Sequence, residues 1–168
     1  MKRTIFLLLM FFSLTTLSSC KENVNMEVLT EYQSKDFLAK VTVSCEARKY
    51  SAEIERSGNA LVLSILSPDI PRDTVFISDE DKMYVRSGDT LFPFSHTAAP
   101  RLVQILELFS ISAADTWTIK KTVLGKVPVY VCENGSVMLY VDACSYLPLK
   151  LCGGEIDIDI ISFSISSK

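Results

Sequence analysis

Residues 100–109, PRLVQILELF, decide the fold, because here the apolar positions stop alternating and begin to recur at helical spacing. Leu102, Val103, Ile105, Leu106, Leu108 and Phe109 form a wide apolar arc, while Arg101, Gln104 and Glu107 fall at three-residue steps on the remaining face. Pro100 suits the first turn of a helix, where its missing N–H costs nothing. A helix this short is marginal in isolation. The arc therefore predicts that it lies deep against a sheet.

On both sides of this helix the period is two. Upstream, Phe37, Ala39, Val41, Val43 and Cys45 share one face, and Lys40, Thr42, Ser44 and Glu46 share the other, the pattern of a half-buried strand. Further strands are predicted at 50–56, 60–66, 74–78, 82–86 and 90–94. Between them stand Ser57-Gly58-Asn59, Ser67-Pro68-Asp69, Asp79-Glu80-Asp81 and Ser87-Gly88-Asp89, all turn chemistry. Pro93 marks the last of these strands as an edge or a strand end. Downstream, strands are predicted at 116–123, 127–132, 136–141, 147–152 and 155–165. Asn134-Gly135 reads as a two-residue hairpin loop, which sets Val131 opposite Met138, Tyr130 opposite Leu139 and Val129 opposite Tyr140. Both faces of that hairpin are apolar, so its strands are expected to be central and covered on both sides. In the last segment Ile156, Ile158 and Ile160 give way to Ile161, Phe163 and Ile165 on the opposite parity; a bulge near Ile160-Ile161 would restore one buried face.

The amino terminus has a different logic. Met1-Lys2-Arg3 precedes a run from Ile5 to Leu17 of aliphatic, aromatic, Met, Ser and Thr residues, followed by Leu17-Ser18-Ser19-Cys20. This is the order of a signal peptide, and the run is shorter than the roughly 20 residues of a spanning helix. Leu17-Ser18-Ser19-Cys20 resembles the lipobox of bacterial lipoproteins at every position. The resemblance implies cleavage after residue 19, acylation of Cys20 and a domain held outside the cytoplasm by lipid. Two or more acyl chains anchor stably where one does not. The expected organisation is a signal peptide over 1–19, the lipidated cysteine and a polar tether over 20–36, and a single domain over 37–168.

Composition narrows the partners. The chain has 17 basic residues, two of them Lys2 and Arg3 in the leader, against 20 acidic ones, which argues against nucleic acid. Lys120-Lys121 is only a pair and not a block for binding anionic lipid. Cys45, Cys132, Cys144 and Cys152 would meet an oxidising compartment, where they are either buried thiols or one or two bridges.

Six strands, one helix and five strands resemble the layout of the lipoprotein-localisation carriers and receptors and of related mycobacterial lipid-binding lipoproteins. Local likeness lies in strands 37–56 and in Tyr140-Val141-Asp142 followed by Tyr146-Leu147-Pro148-Leu149. The resemblance implies a mainly β fold in which a curved antiparallel sheet, an unclosed barrel of about 10–11 strands, wraps one principal helix around an apolar cavity. Two departures stand out: Tyr146 occupies a turn position that often carries Gly, and the family's amino-terminal helix is poor or absent.

No residue set spells out a reaction, and neither an enzymatic activity nor a cofactor is expected. The single histidine, His96, lies in Phe94-Ser95-His96-Thr97 with no Gly-x-Ser-x-Gly elbow and no ligand spacing for a metal. Asp79, Glu80, Asp81 and Asp89 lack the alternating calcium loop. Asp157 and Asp159 fit the wet face of a strand, and Gly153-Gly154 precedes a strand instead of the helix that a phosphate loop needs. What remains is apolar shape. Leu102, Ile105, Leu106 and Phe109 of the helix, with Val41, Val43, Phe76, Tyr84 and Phe92 of the strands, are the expected lining of a site for an acyl chain, a lipid or a lipoprotein segment. The alternative is that they fill a solid core and that the domain meets a protein partner through sheet edges or acidic turns.

Overall fold

A computed structural model describes residues 24–45, 47–67, 74–79, 82–95 and 100–166. Eleven strands form one antiparallel sheet: β1 Phe37–Cys45, β2 Arg48–Ser57, β3 Ala60–Ser67, β4 Thr74–Asp79, β5 Lys82–Ser87, β6 Thr90–Phe94, β7 Thr118–Leu124, β8 Val127–Asn134, β9 Val137–Asp142, β10 Pro148–Gly153 and β11 Ile156–Ile165. A short helix, α1 (Met26–Leu29), and a 3-10 turn (Glu31–Ser34) precede them, and α2 (Pro100–Leu108) interrupts them. The spatial order is β6-β5-β4-β3-β2-β1-β11-β10-β9-β8-β7. Two meanders thus meet where β1 pairs with β11, and β6 and β7 remain as the edges of the sheet. The expected mainly β fold, an unclosed antiparallel sheet with one principal helix, is the fold observed.

Two-residue loops set the register. Ser57 pairs with Ala60, Ser87 with Thr90, Leu124 with Val127, Asn134 with Val137 and Gly153 with Ile156. Each loop opens on a glycine at positive φ, the Gly-first pattern of a II′ hairpin. At the β8–β9 hairpin this corrects the expected loop. Gly135-Ser136 turns the chain, so Glu133 faces Met138, Cys132 faces Leu139 and Val131 faces Tyr140. The displacement is two residues, so every side chain keeps its expected face. The hairpin is not central either: β8 lies next to the edge strand β7. Val129, Tyr130, Val131 and Cys132 are nevertheless all buried. The expected turn residues Pro68, Asp69, Glu80 and Asp81 lie outside the described residues.

The expected bulge in β11 is present. Lys40 pairs with Ser162 and Val41 with Ile160, which leaves Ile161 as the extra residue. Phe163 therefore returns to the inner face, its ring centroid 4.8 Å from that of Phe37. A matching irregularity lies across the sheet, where Ser51 pairs with Ser67 and Ala52 with Ile65, leaving Leu66 extra.

The inner face and α2 share one core. Phe37, Ile54, Leu61, Leu63, Leu106, Phe109, Leu139, Leu151 and Ile158 are almost wholly buried. Near the seam the outer face carries partly exposed ion pairs, Lys40 with Glu53 at 3.3 Å and Lys150 with Asp157 and Asp159 at 3.6 and 3.7 Å. Residues 24–36 differ from the expected tether. Met26, Leu29 and Tyr32 are buried in the core, because their three-residue spacing gives this segment an apolar face of its own. Asn25 caps the short helix by accepting from the Val28 amide at 3.1 Å.

Candidate functional site

The expected lining divides when placed on the sheet. Val41, Val43, Phe76, Ile105, Leu106 and Phe109 are buried together in the core. Tyr84 is on the other side: it pairs with Ile77, while Phe76 pairs with Val85, so Tyr84 faces outward and is half-buried. Phe92 pairs with Val85 and keeps the inner face, but β6 has no further neighbour and 53% of Phe92 stays exposed. The backbone of Leu102 is helical. Cys20 and His96 lie outside the described residues, as does the expected signal peptide. Cys45, Cys132 and Cys152 are buried free thiols and Cys144 is an exposed one.

Among the described residues, open space lies at the carboxyl end of α2. Two clefts flank Ser110. One, of about 300 Å³, is lined by Leu108, Ile111, Trp117 and Val137 together with the polar Gln104, Glu107, Asp115 and Asn134. The other, of about 380 Å³, is lined by Gln33, Arg56, Asn59, Leu61, Ser78 and Ser110. None of the expected lining residues borders either cleft.

The helix is fixed beside the first cleft. Gln104 donates to the Gly153 carbonyl at 3.2 Å, and Leu108 presses on the same glycine. The indole of Trp117 is held across the apolar cleft by donating to the Ser112 carbonyl at 3.0 Å. Asn134 and Val137 enter from the base of the β8–β9 hairpin, whose register places them as the last pair before the loop.

The second cleft centres on a cation at an apolar register. Arg56 pairs with Phe37 on one side and Leu61 on the other, so it occupies the inner face two places beyond Ile54. Its guanidinium carbon lies 6.0 Å from the Phe37 ring centroid. Its Nε is buried with no hydrogen-bond partner among the described residues. Desolvation lowers its pKa, while Tyr32 and Asp36 act in the opposite direction. Burial likewise pushes the Tyr32 hydroxyl up to about 12. The sequence does contain a signal for this site: Ala52, Ile54 and Arg56 share one parity, and the last is charged.

A third arrangement closes the far end of the inner face. Tyr146 adopts a φ of 55° and stacks on Tyr130 at 6.3 Å between centroids, with the Lys121 ammonium 5.3 Å from the centre of the Tyr130 ring. Asp142 builds that turn by accepting from the Ser145 and Cys144 amides at 2.7 and 2.8 Å. Among the described residues no group of three or more His, Cys, Asp and Glu is placed to hold a metal ion. No helix among them is long and apolar enough to cross a membrane.

No family model matches the chain, and no curated protein does. Solved structures are similar at the level of the fold. An uncharacterised conserved protein from Thermus thermophilus superposes with a TM-score of 0.57 at 12% identity, over 85% of this chain and 86% of that one. A LolA superfamily protein from Nitrosomonas europaea gives 0.45 at 13% identity, over 86% of this chain and 95% of that one. LprF from Mycobacterium bovis gives 0.41 at 11% identity, over 85% and 92% respectively. At these identities the likeness concerns the fold alone.

Proposed function

We propose that this is a lipid-anchored, extracytoplasmic binding module for an acyl chain, a lipid or a lipoprotein segment, with no reaction of its own. The observation that carries the reading is the cleft at the end of α2, where Leu108, Ile111, Trp117 and Val137 border about 300 Å³ beside the core. That volume is at the lower end of the ~300–1,000 Å³ typical of small-ligand sites. Each buried methylene contributes about 0.8 kcal/mol, enough for a short apolar segment to bind usefully after the cost of association.

Trp117 is the chain's one tryptophan, so its emission reports this cleft directly. Titrating the full chain, held in digitonin, with decanoate and decan-1-ol is expected to shift that emission saturably. Native mass spectrometry of gently extracted protein is expected to show bound lipid. If neither ligand shifts Trp117 and no lipid is retained, the reading fails. The anchor is tested separately: intact mass is expected to place acyl chains on Cys20, and Cys20→Ser to release the protein from membranes or stall its maturation.

A second reading has its own observation. The edge strand β7 and the start of β8 expose Val123, Leu124 and Val127, and edge strand β6 exposes Leu91 and Phe92. Edge strands with apolar side chains are templates for another protein's strand. Under that reading Val123→Lys abolishes co-purification of a partner and leaves the Trp117 titration unchanged.

A further inference from the structure

We infer that the Arg56 cleft is an oxyanion site, and that it receives the carboxylate or phosphate end of an amphiphile whose apolar chain lies beside Trp117. The inference deepens the proposed function and rests on it for the chain, but for the anion it rests on Arg56 and its surroundings.

Three observations converge. First, Arg56 stands on the inner face, in register with Phe37 and Leu61, where an apolar side chain would pack without desolvating a charge. Second, its Nε is buried and makes no hydrogen bond among the described residues, although a guanidinium is a fork of donors suited to two oxygens at once. Burial strips water from this cation and lowers its pKa, so an incoming anion meets a charge that is already partly desolvated. Third, the cleft around it is lined by Gln33, Asn59, Ser78 and Ser110, neutral side chains with donors to offer, and no carboxylate is among its described lining residues. The nearby Asp36 acts electrostatically on Arg56 from outside this lining and also accepts the Gly58 amide at 2.8 Å. Gln33 also donates to the Tyr32 hydroxyl at 3.4 Å, a long bond that is readily exchanged.

The geometry also supplies the chain's direction. Ser110 borders both clefts, so the polar space around Arg56 and the apolar space around Trp117 lie on either side of one residue just beyond α2. Carboxylates Glu107 and Asp115 lie on the apolar cleft's side, which disfavours placing the anion there. A ligand with one charged end is thereby oriented, where the apolar cleft alone would accept either direction.

The test compares decanoate with decan-1-ol on the full chain in digitonin, followed by Trp117 emission, and adds inorganic phosphate followed by thermal melting. Wild-type protein is expected to bind decanoate about tenfold to a hundredfold more tightly than decan-1-ol, the range for a charged hydrogen bond. Arg56→Gln is expected to remove that preference by weakening decanoate binding far more than decan-1-ol binding. Arg56→Lys, which keeps the charge but not the fork, is expected to retain part of it, and it decides the matter if Arg56→Gln does not fold. Phosphate alone raising the melting temperature of wild type but not of the variant, with no decanoate preference, supports the same site with a free oxyanion as its ligand. The inference is overturned if decanoate and decan-1-ol bind alike in wild type and phosphate has no effect, or if the preference survives in both variants. Loss of all chain binding with the phosphate effect intact counts instead against the proposed function.

Discussion

A β-carbon built on Gly153 stands 2.7 Å from Cδ2 of Leu108, so the last turn of α2 rests on backbone at the β10–β11 hairpin. An added side chain would push the end of the Leu108 side chain aside. Gly153→Ala is therefore expected to destabilise the domain by about 1 kcal/mol, the low end of the cost of overpacking, because the Leu108 side chain can give way. The same substitution made in a Leu108→Ala background is expected to cost much less. Urea midpoints of the four proteins in the cycle give the coupling directly, and equal costs in both backgrounds would refute the contact.

Tyr146 inverts the normal ranking of alanine and glycine. At φ 55° any side chain carries strain, and Tyr146 offsets it by stacking on Tyr130. Tyr146→Ala loses the ring and keeps the strain, whereas Tyr146→Gly loses both. Tyr146→Gly is expected to be the more stable variant by about 0.4–1 kcal/mol. Thermal melts of the two variants settle the order.

The turn held by Asp142 predicts an acid-side effect. The Ser145 amide, and after it the Cys144 amide, hold this carboxyl below the ordinary carboxylate value. A depressed folded value means the stabilisation is present above the ordinary carboxylate range and disappears as pH falls through the folded value. Asp142→Asn is expected to be less stable than wild type at pH 7, with the gap narrowing below pH about 4. A gap that stays constant from neutral to strongly acid pH would argue against a charged cap.

Thiol reactivity should separate the cysteines. Burial pushes the Cys132 thiol up to about 11 and the Cys152 thiol up to about 12, the latter with a further contribution from Asp157. Cys144 is exposed. Iodoacetamide at mildly alkaline pH is expected to label Cys144 in the folded chain, and Cys132 and Cys152 only after urea unfolding, because the thiolate is the nucleophile. Peptide mapping after each treatment reads the result.

The strands and α2 are legible in the sequence because a period of two and a period of 3.6 rarely mimic each other over a whole element. The bulge at Ile161 is legible for the same reason, since Ile158 and Phe163 cannot share a face without it. Tyr84 is not. In β5 Met83 and Val85 alternate with Tyr84, so both faces offer apolar groups, and only the pairing of Phe76 with Val85 decides which is inward. The amino-terminal segment reads as tether because its apolar residues are few, though Met26, Leu29 and Tyr32 fall one turn apart. The mouth at the end of α2 is built by residues distant in sequence, from Gln33 to Val137, and no local pattern joins them.

The bulge gives the seam between the two meanders a spare residue. Ile161 pairs with nothing in β1 and is 69% exposed, so removing it would join Ile160 directly to Ser162 and turn the broken ladder into a regular one. Ile160 would still point inward, Ser162 outward and Phe163 inward, and only the local bend and extra twist of the bulge would be lost. Strand β1 has no such slack. Dropping Thr42 would send Phe37, Ala39 and Val41 to the wrong face or tear their pairing with both neighbours at once, because β1 is held by β2 on one side and β11 on the other. At this seam one strand can absorb a change of length, and the other counts every residue.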